Sequence, residues 1–135
     1  MRKIKKILLI DDDRVCTYLA QITLEEVGIA EEIVICEDGQ QALDYLNSIK
    51  EPYVPELILL DLNMPIMDGY EFLEEYMKIE ALKGKNIHVV IVSSSPPQRE
   101  RKRIASLPIS AYIEKPLTED KMTEVLSHLA TTYQF

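Results

Sequence analysis

Tryptophan is missing from the 135 residues and cysteine occurs only twice. The first absence denies the protein its usual intrinsic emission probe. The second excludes a disulfide framework: Cys16 and Cys36 have no further cysteine and no histidine at metal-ligand spacing, so both read as buried thiols of a reducing compartment. Long apolar runs are missing too. The basic start MRKIKK leads into only four consecutive apolar residues, Ile7 to Ile10, before three aspartates, which is too short for the core of a signal peptide. No stretch approaches the ~20 apolar residues of a membrane span. Nor is there an excess of positive charge, since 15 Lys and Arg against 23 Asp and Glu give a formal net charge of -8 and a pI of about 4.8. A field of that sign repels phosphate backbones and anionic membranes, which argues against nucleic-acid binding and membrane attachment. Without repeats, low-complexity tracts or a linker-like shift in composition, the chain reads as one cytoplasmic domain over residues 1–135. Its length allows roughly two thirds of the unfolded surface to be buried.

What the sequence does have is a series of short, unbroken apolar runs: ILLI at 7–10, IVIC at 33–36, LILL at 57–60, VVIV at 89–92 and AYI at 111–113. Continuous rather than alternating runs of this length fit strands covered on both faces, as in a parallel sheet. Helical spacing follows each. Val15, Leu19 and Ile22, with Tyr18 beside them, mark the first helix; Ala42, Leu43, Leu46 and Ile49 the second; Phe72, Leu73, Tyr76 and Met77 the third. A fourth is expected over residues 97–107, where only Ile104, Ala105 and Leu107 are apolar. The last carries Met122, Val125, Leu126, Leu129 and Ala130 at i, i+3, i+4, i+7 and i+8. Five strand-then-helix units imply an α/β fold with a doubly wound, five-stranded parallel sheet and five helices, for which the flavodoxin-like strand order 2-1-3-4-5 is adopted.

In such sheets ligands sit beyond the carboxyl ends of the strands, where the order reverses. There the sequence places Asp11, Asp12 and Asp13, then Asp61, then Ser93 to Ser95, then Glu114, Lys115 and Pro116. With that order, the ends of strands one, three, four and five stand side by side at ~4.8 Å intervals, a gap that a lysine side chain crosses. Two carboxylates ~5 Å apart at an effective dielectric of ~20 repel by roughly 3 kcal/mol. A hard divalent cation is the economical offset: the ligands are all oxygens, and two carboxylates with positions left for water and phosphate suit Mg²⁺ better than a calcium cage. Zinc is disfavoured, because His88 and His128 lie elsewhere. Capping of the first helix accounts for one or two of the three aspartates, and three after an apolar strand favour a site.

With ILLIDDD, LILLDLNMPIMDGYEFL, VVIVSSS and AYIEKPLT in order at successive strand ends, the chain resembles the receiver domains of two-component response regulators. The resemblance covers nearly the whole chain. It implies that Asp61 is the phosphoacceptor, that Asp11 and Asp12 form the acidic pair, and that Asp12 and the backbone carbonyl of Asn63 bind Mg²⁺ with Asp61. By the same resemblance Ser93 is the hydroxyl switch, Tyr112 the aromatic switch and Lys115 the phosphoryl-contacting lysine. The chemistry agrees, because an ionised Asp needs no deprotonation to attack phosphorus and requires mainly positioning and neutralised phosphoryl oxygens. Asp61 and Lys115 are thus the catalytic pair, and the Asp61 carboxylate is expected exposed at the sheet edge, where a donor can reach it.

The expected activity is the protein's own phosphorylation and dephosphorylation, with no separate substrate turned over. The phosphodonor would be a histidine kinase or histidine phosphotransfer protein. The output would be altered binding of a downstream protein, or a homodimer, through the fourth helix, fifth strand and fifth helix. The end of the chain, ATTYQF, leaves no room for an output domain on this reading. Two alternatives stand beside it. A haloacid-dehalogenase-type phosphohydrolase also uses a strand-end Asp with Mg²⁺, but it resembles D-x-D, and Asn63 stands where the second acid belongs. A pseudo-receiver would dock partners without being phosphorylated.

Overall fold

Apolar residues that repel water on both faces of a strand need cover on both sides, and the chain supplies it with helices after every strand. The computed structural model describes residues 3–49 and 54–132. Its strands are β1 (Ile4–Ile10), β2 (Ala30–Cys36), β3 (Leu57–Leu60), β4 (His88–Ser93) and β5 (Ala111–Glu114). They form one parallel sheet in the order β2-β1-β3-β4-β5, as the sequence predicts. The helices are α1 (Arg14–Val27), α2 (Gly39–Ser48), α3 (Gly69–Tyr76), α4 (Pro97–Ile104) and α5 (Glu119–Thr132), with one 3-10 turn at Glu80–Leu82. Pro52 in the loop before β3, the basic start at residues 1–2 and the end at residues 133–135 lie outside the described residues.

Strand side chains alternate between faces, and the two faces build two cores. Leu8, Ile10, Ile58, Leu60, Val89 and Ile91 pack with α2, α3 and the end of α4. Ile7, Leu9, Leu59, Val90, Val92 and Ile113 pack with α1 and α5. β1 and β2 begin three residues before their apolar runs, because Lys5, Lys6, Glu31 and Glu32 break the pattern without breaking the ladder.

Local chemistry sets the helix ends. Asp13 caps α1 by accepting from the backbone of Val15 at 2.9 Å and Cys16 at 3.2 Å. The helix closes at Gly28, whose φ of 69° no β-carbon obstructs. Asp68 and Glu71 form a reciprocal capping box at α3. Residues 105–107 do not continue α4, since Leu107 precedes Pro108 and that position disfavours helical backbone.

The expected inner face of α1 is wrong. Thr17, Ala20 and Leu24 face the core, whereas Val15, Tyr18 and Leu19 are 66%, 64% and 55% exposed. Small residues at 17 and 20 let the helix lie close on the sheet, and Val15, Tyr18 and Leu19 are left in water. Cys16 is likewise only half buried, while Cys36 is buried as expected.

One close approach joins β3 to α3. The Gly69 amide donates to the Leu62 carbonyl at 2.9 Å, and a β-carbon at Gly69 would stand 2.8 Å from both the Asp61 carbonyl oxygen and the Leu62 α-carbon. Backbone cannot yield as a flexible side chain does. Gly69→Ala is therefore expected to destabilise the fold by about 2 kcal/mol, read as a lower urea midpoint by far-UV circular dichroism.

Candidate functional site

Ile10 pairs with Leu60, and Leu60 with Ile91, so the residues that follow β1 and β3 reach the sheet edge at one level. The ladder also fixes their backbones. The Asp61 amide donates to the Ile10 carbonyl at 3.0 Å, and the Lys115 amide to the Ser93 carbonyl at 2.7 Å. Alternation along the strands then sends the Asp11, Asp61 and Lys115 side chains toward α1 and α5. Together with Leu9, Leu19, Leu59, Val92 and Leu117 they line a cleft of about 540 Å³.

Lys115 ties the acids together. Its Nζ donates to Asp11 Oδ2 at 2.8 Å and lies 3.6 Å from Asp61 Oδ1. Asp11 Oδ1 accepts from the Asp13 amide at 2.9 Å. Asp12 is exposed and completes a set of three carboxylates whose oxygens lie within 4.8 Å of one another. Among the described residues this is the one such group of potential metal ligands. Asp13 is spent on the helix cap, and the hydrogen bonds from Cys16 and Val15 hold its carboxyl below the usual range. The run of three aspartates thus divides into two site residues and one structural residue.

Asp61 is only 5% exposed, contrary to the expectation of an open carboxylate, because its neighbours Asp11 and Lys115 wall it in. Burial first, and the Asp11 charge second, push its carboxyl up to about 6; Lys115 and the Asn63 backbone oppose them. At Lys115 burial works against the ammonium. The Asp11 hydrogen bond and the Asp61 charge outweigh it, and its pKa rises.

Ser93 is fully buried. Its Oγ accepts from the Ser95 amide at 3.1 Å and stands 3.4 Å from Asn63 Nδ2. The half-buried Tyr112 donates its hydroxyl to the Ser95 carbonyl at 2.7 Å. Both residues expected to switch therefore hold the same loop residue. No serine of the run caps α4, whose N-cap is Pro96 with no side-chain bond.

Two features escape sequence reasoning. Tyr70 at the start of α3 donates to Glu100 and carries the Arg103 guanidinium 3.6 Å over its ring centroid. No local pattern signals a contact 30 residues apart. Ile66 is the centre of a three-residue turn in which the Met67 amide donates to the Pro65 carbonyl at 2.7 Å. Its φ is 68° and its side chain is fully exposed, a combination that β-branched residues avoid.

A family model described as the response regulator receiver domain matches residues 7–127. The response regulator Rcp1 of Synechocystis is 35% identical over 118 residues, which is 82% of this chain and 76% of that protein. The crystal structure of a two-component response regulator from Cytophaga hutchinsonii superposes with a TM-score of 0.85 at 29% identity, covering 96% of this chain and 99% of that one. The receiver domain of the Arabidopsis thaliana histidine kinase CKI1, solved with Mg²⁺ and BeF₃⁻, gives a TM-score of 0.74 at 26% identity, covering 91% and 90%. The chain belongs to the response regulator receiver domain family, whose work is phosphorelay signalling and in general not enzymatic turnover. Receiver domains bind Mg²⁺ at an acidic pocket, and the all-oxygen set of Asp11, Asp12 and Asp61 fits that ion.

The raised Asp61 value has a consequence for stability with a definite sign. Its folded pKa of about 6 lies above the unfolded 3.8, so the charged form weakens the fold. The penalty is absent below about pH 4, grows through the window from 4 to 6, and is complete at pH 7 at about 3 kcal/mol before solvent relaxation. Asp61→Asn is expected to raise the unfolding free energy by about 2 kcal/mol at pH 7 and by nothing at pH 3.5, measured by urea titration at both pH values. Equal gains at the two pH values would remove the charge explanation.

Proposed function

We propose that this receiver, as a single domain over residues 1–135, accepts a phosphoryl group on Asp61 and signals through α4, β5 and α5. The observation that carries the reading is the buried Asp61 carboxylate sharing the Lys115 ammonium with Asp11 at the carboxyl edge of the sheet. In the reaction an Asp61 oxygen attacks phosphorus, the bond from phosphorus to the donor's nitrogen or oxygen breaks, and the leaving group departs with that electron pair. Asp12, Asp61 and the Asn63 carbonyl, with Asp11 assisting, would hold Mg²⁺, and the ion would supply positive charge beside the phosphoryl oxygens. Lys115 places its ammonium beside the same oxygens and gives up part of its contact with Asp11 and Asp61. The Ser93 hydroxyl, which accepts from the Ser95 amide, donates its own proton to the product, and Tyr112, bound to the Ser95 carbonyl, switches with the loop into α4.

A protein donor is supported by the apolar rim. Of the five large hydrophobic residues that are exposed among the described residues, Val15, Tyr18, Leu19 and Ile66 lie on α1 and on the loop after β3, both of which leave the edge that carries Asp61. A histidine kinase or histidine phosphotransfer protein covers them while it delivers the group. The partner on the output side is a protein with an acidic surface, or a second copy of the chain, drawn to exposed Arg99, Arg101 and Lys102. Among the described residues no helix is long and apolar enough to cross a membrane, and the net charge of -8 disfavours nucleic acid. A cytoplasmic setting suits these partners. The phosphohydrolase reading lacks its second acid at Asn63, and the pseudo-receiver reading leaves the costly carboxylate pair without a purpose.

Incubation with acetyl phosphate and Mg²⁺, followed by intact mass, is expected to add one phosphoryl group to the wild type and none to Asp61→Asn. A fully modified Asn variant would move the acceptor elsewhere. Lys115→Ala is expected to keep Mg²⁺ binding yet leave the α4 amides unresponsive to modification.

The metal site has its own test. Asp11 is already engaged by Lys115 and the Asp13 amide, whereas Asp12 is free in solvent, so Asp12→Ala is expected to weaken Mg²⁺ more than Asp11→Ala. Backbone NMR titration with Mg²⁺ reads both, and equal affinity in wild type and Asp12→Ala would count against the ligand set.

A further inference from the structure

α4 is loosely built into the molecule. None of its residues is fully buried, its cap makes no side-chain bond, and six of its eight residues are Gln, Glu, Arg or Lys. What grips it in the middle is Tyr70. The tyrosine is 8% exposed, its hydroxyl donates to Glu100, and the Arg103 guanidinium lies 3.6 Å over its ring centroid. Glu100 and Arg103 stand one helical turn apart, so a single ring holds both. Burial, then the hydrogen bond to Glu100, raises the Tyr70 phenol well above its ordinary value, and it stays a donor throughout the neutral range.

The other end of the same tyrosine is anchored beside Asp61. Gly69 donates to the Leu62 carbonyl at 2.9 Å and approaches the Asp61 carbonyl too closely to admit a β-carbon. Asp61, Leu62, Gly69 and Tyr70 thus form a short path of close-packed backbone that ends in the clamp on α4. Ser93 and Tyr112 hold a different point, Ser95 in the loop before the helix, although the Tyr112 ring packs in the same cluster as Tyr70.

We propose that Tyr70 is a second coupling residue, tying the middle of α4 to the Asp61 loop through contacts other than the Ser93 and Tyr112 hydrogen bonds to Ser95. The inference rests on the reading of Asp61 as the phosphoacceptor. A group added at Asp61 shifts α4 only by interacting differently with its two positions. The clamp provides such a difference, because moving the start of α3 breaks the hydroxyl-to-carboxylate hydrogen bond and the guanidinium-on-ring contact together. The freed pair then presents opposite charges one turn apart on the exposed helix.

Hydrogen exchange of the amides of residues 98–104, with beryllofluoride and Mg²⁺ as the phosphoryl mimic and fluorine NMR to verify its binding, tests the route. Tyr70→Leu is expected to speed α4 exchange about tenfold without the mimic, and Glu100→Ala/Arg103→Ala, which alters only side chains on the helix itself and leaves the core intact, is expected to match it. Exchange in the strands is expected to stay at the wild-type rate in the second variant. In Ser93→Ala/Tyr112→Phe the mimic is expected still to speed α4 exchange, and adding Glu100→Ala/Arg103→Ala is expected to abolish that remaining response. Wild-type exchange in Glu100→Ala/Arg103→Ala, or no remaining response in Ser93→Ala/Tyr112→Phe with the fluorine signal present, would overturn the coupling alone. Failure of beryllofluoride to bind the wild type would overturn the Asp61 reading and the coupling with it.

Discussion

Two carboxylates share one ammonium at the carboxyl edge of the sheet. Asp11 and Asp61 are each 5% exposed, repel one another and lose hydration, so neither is stable there without the charge that Lys115 brings. That charge arrives from 104 residues away. It is delivered by β5, a strand of four residues whose only pairing is with β4. The last strand therefore does more than finish the sheet, since its placement decides whether the acids after β1 and β3 can coexist. Even with Lys115 present, burial wins at Asp61, whose raised pKa marks a site under electrostatic stress. Such stress is what a bound cation relieves and what a new phosphoryl group would rearrange.

Under the proposed roles, the sheet itself separates chemistry from motion. Asp11, Asp61 and Lys115 belong to the face covered by α1 and α5, whereas Ser93 and Tyr112, one step out of phase, belong to the face covered by α2, α3 and α4. A signal must cross from one layer to the other at the rim of the sheet, because the interior is filled. The crossing points are Asn63 against Ser93, and Gly69 against the Asp61 carbonyl. Both lie in the stretch that follows β3, and the strained turn at Ile66 lies between them.

The strands were legible because unbroken apolar runs have few uses other than a doubly covered parallel sheet. The acidic edge was legible for a related reason: charges directly after such runs have no structural purpose beyond a single cap, and Asp13 turned out to be that cap. The α1 face was misread because hydrophobicity was taken as the sign of burial, while close packing on the sheet selected Thr17 and Ala20 for their size. Burial of Asp61 was missed for want of its neighbours, which come from distant strands. Ile66 defied local propensity, so no propensity argument could have placed it at positive φ. The Tyr70 clamp depends on how α3 and α4 lie against one another, which the periodicity of either helix leaves open.

The layering also bears on how duplicated copies of such a domain diverge. Under the proposed roles, substitutions along exposed α1 alter which donor is recognised, while substitutions on α4 alter which listener responds, and the filled sheet insulates each set from the other. Only the few residues at the rim are answerable to both. A lineage that multiplies its signalling channels from one ancestor can thus rewire input and output at separate times, through intermediates that remain functional at each step.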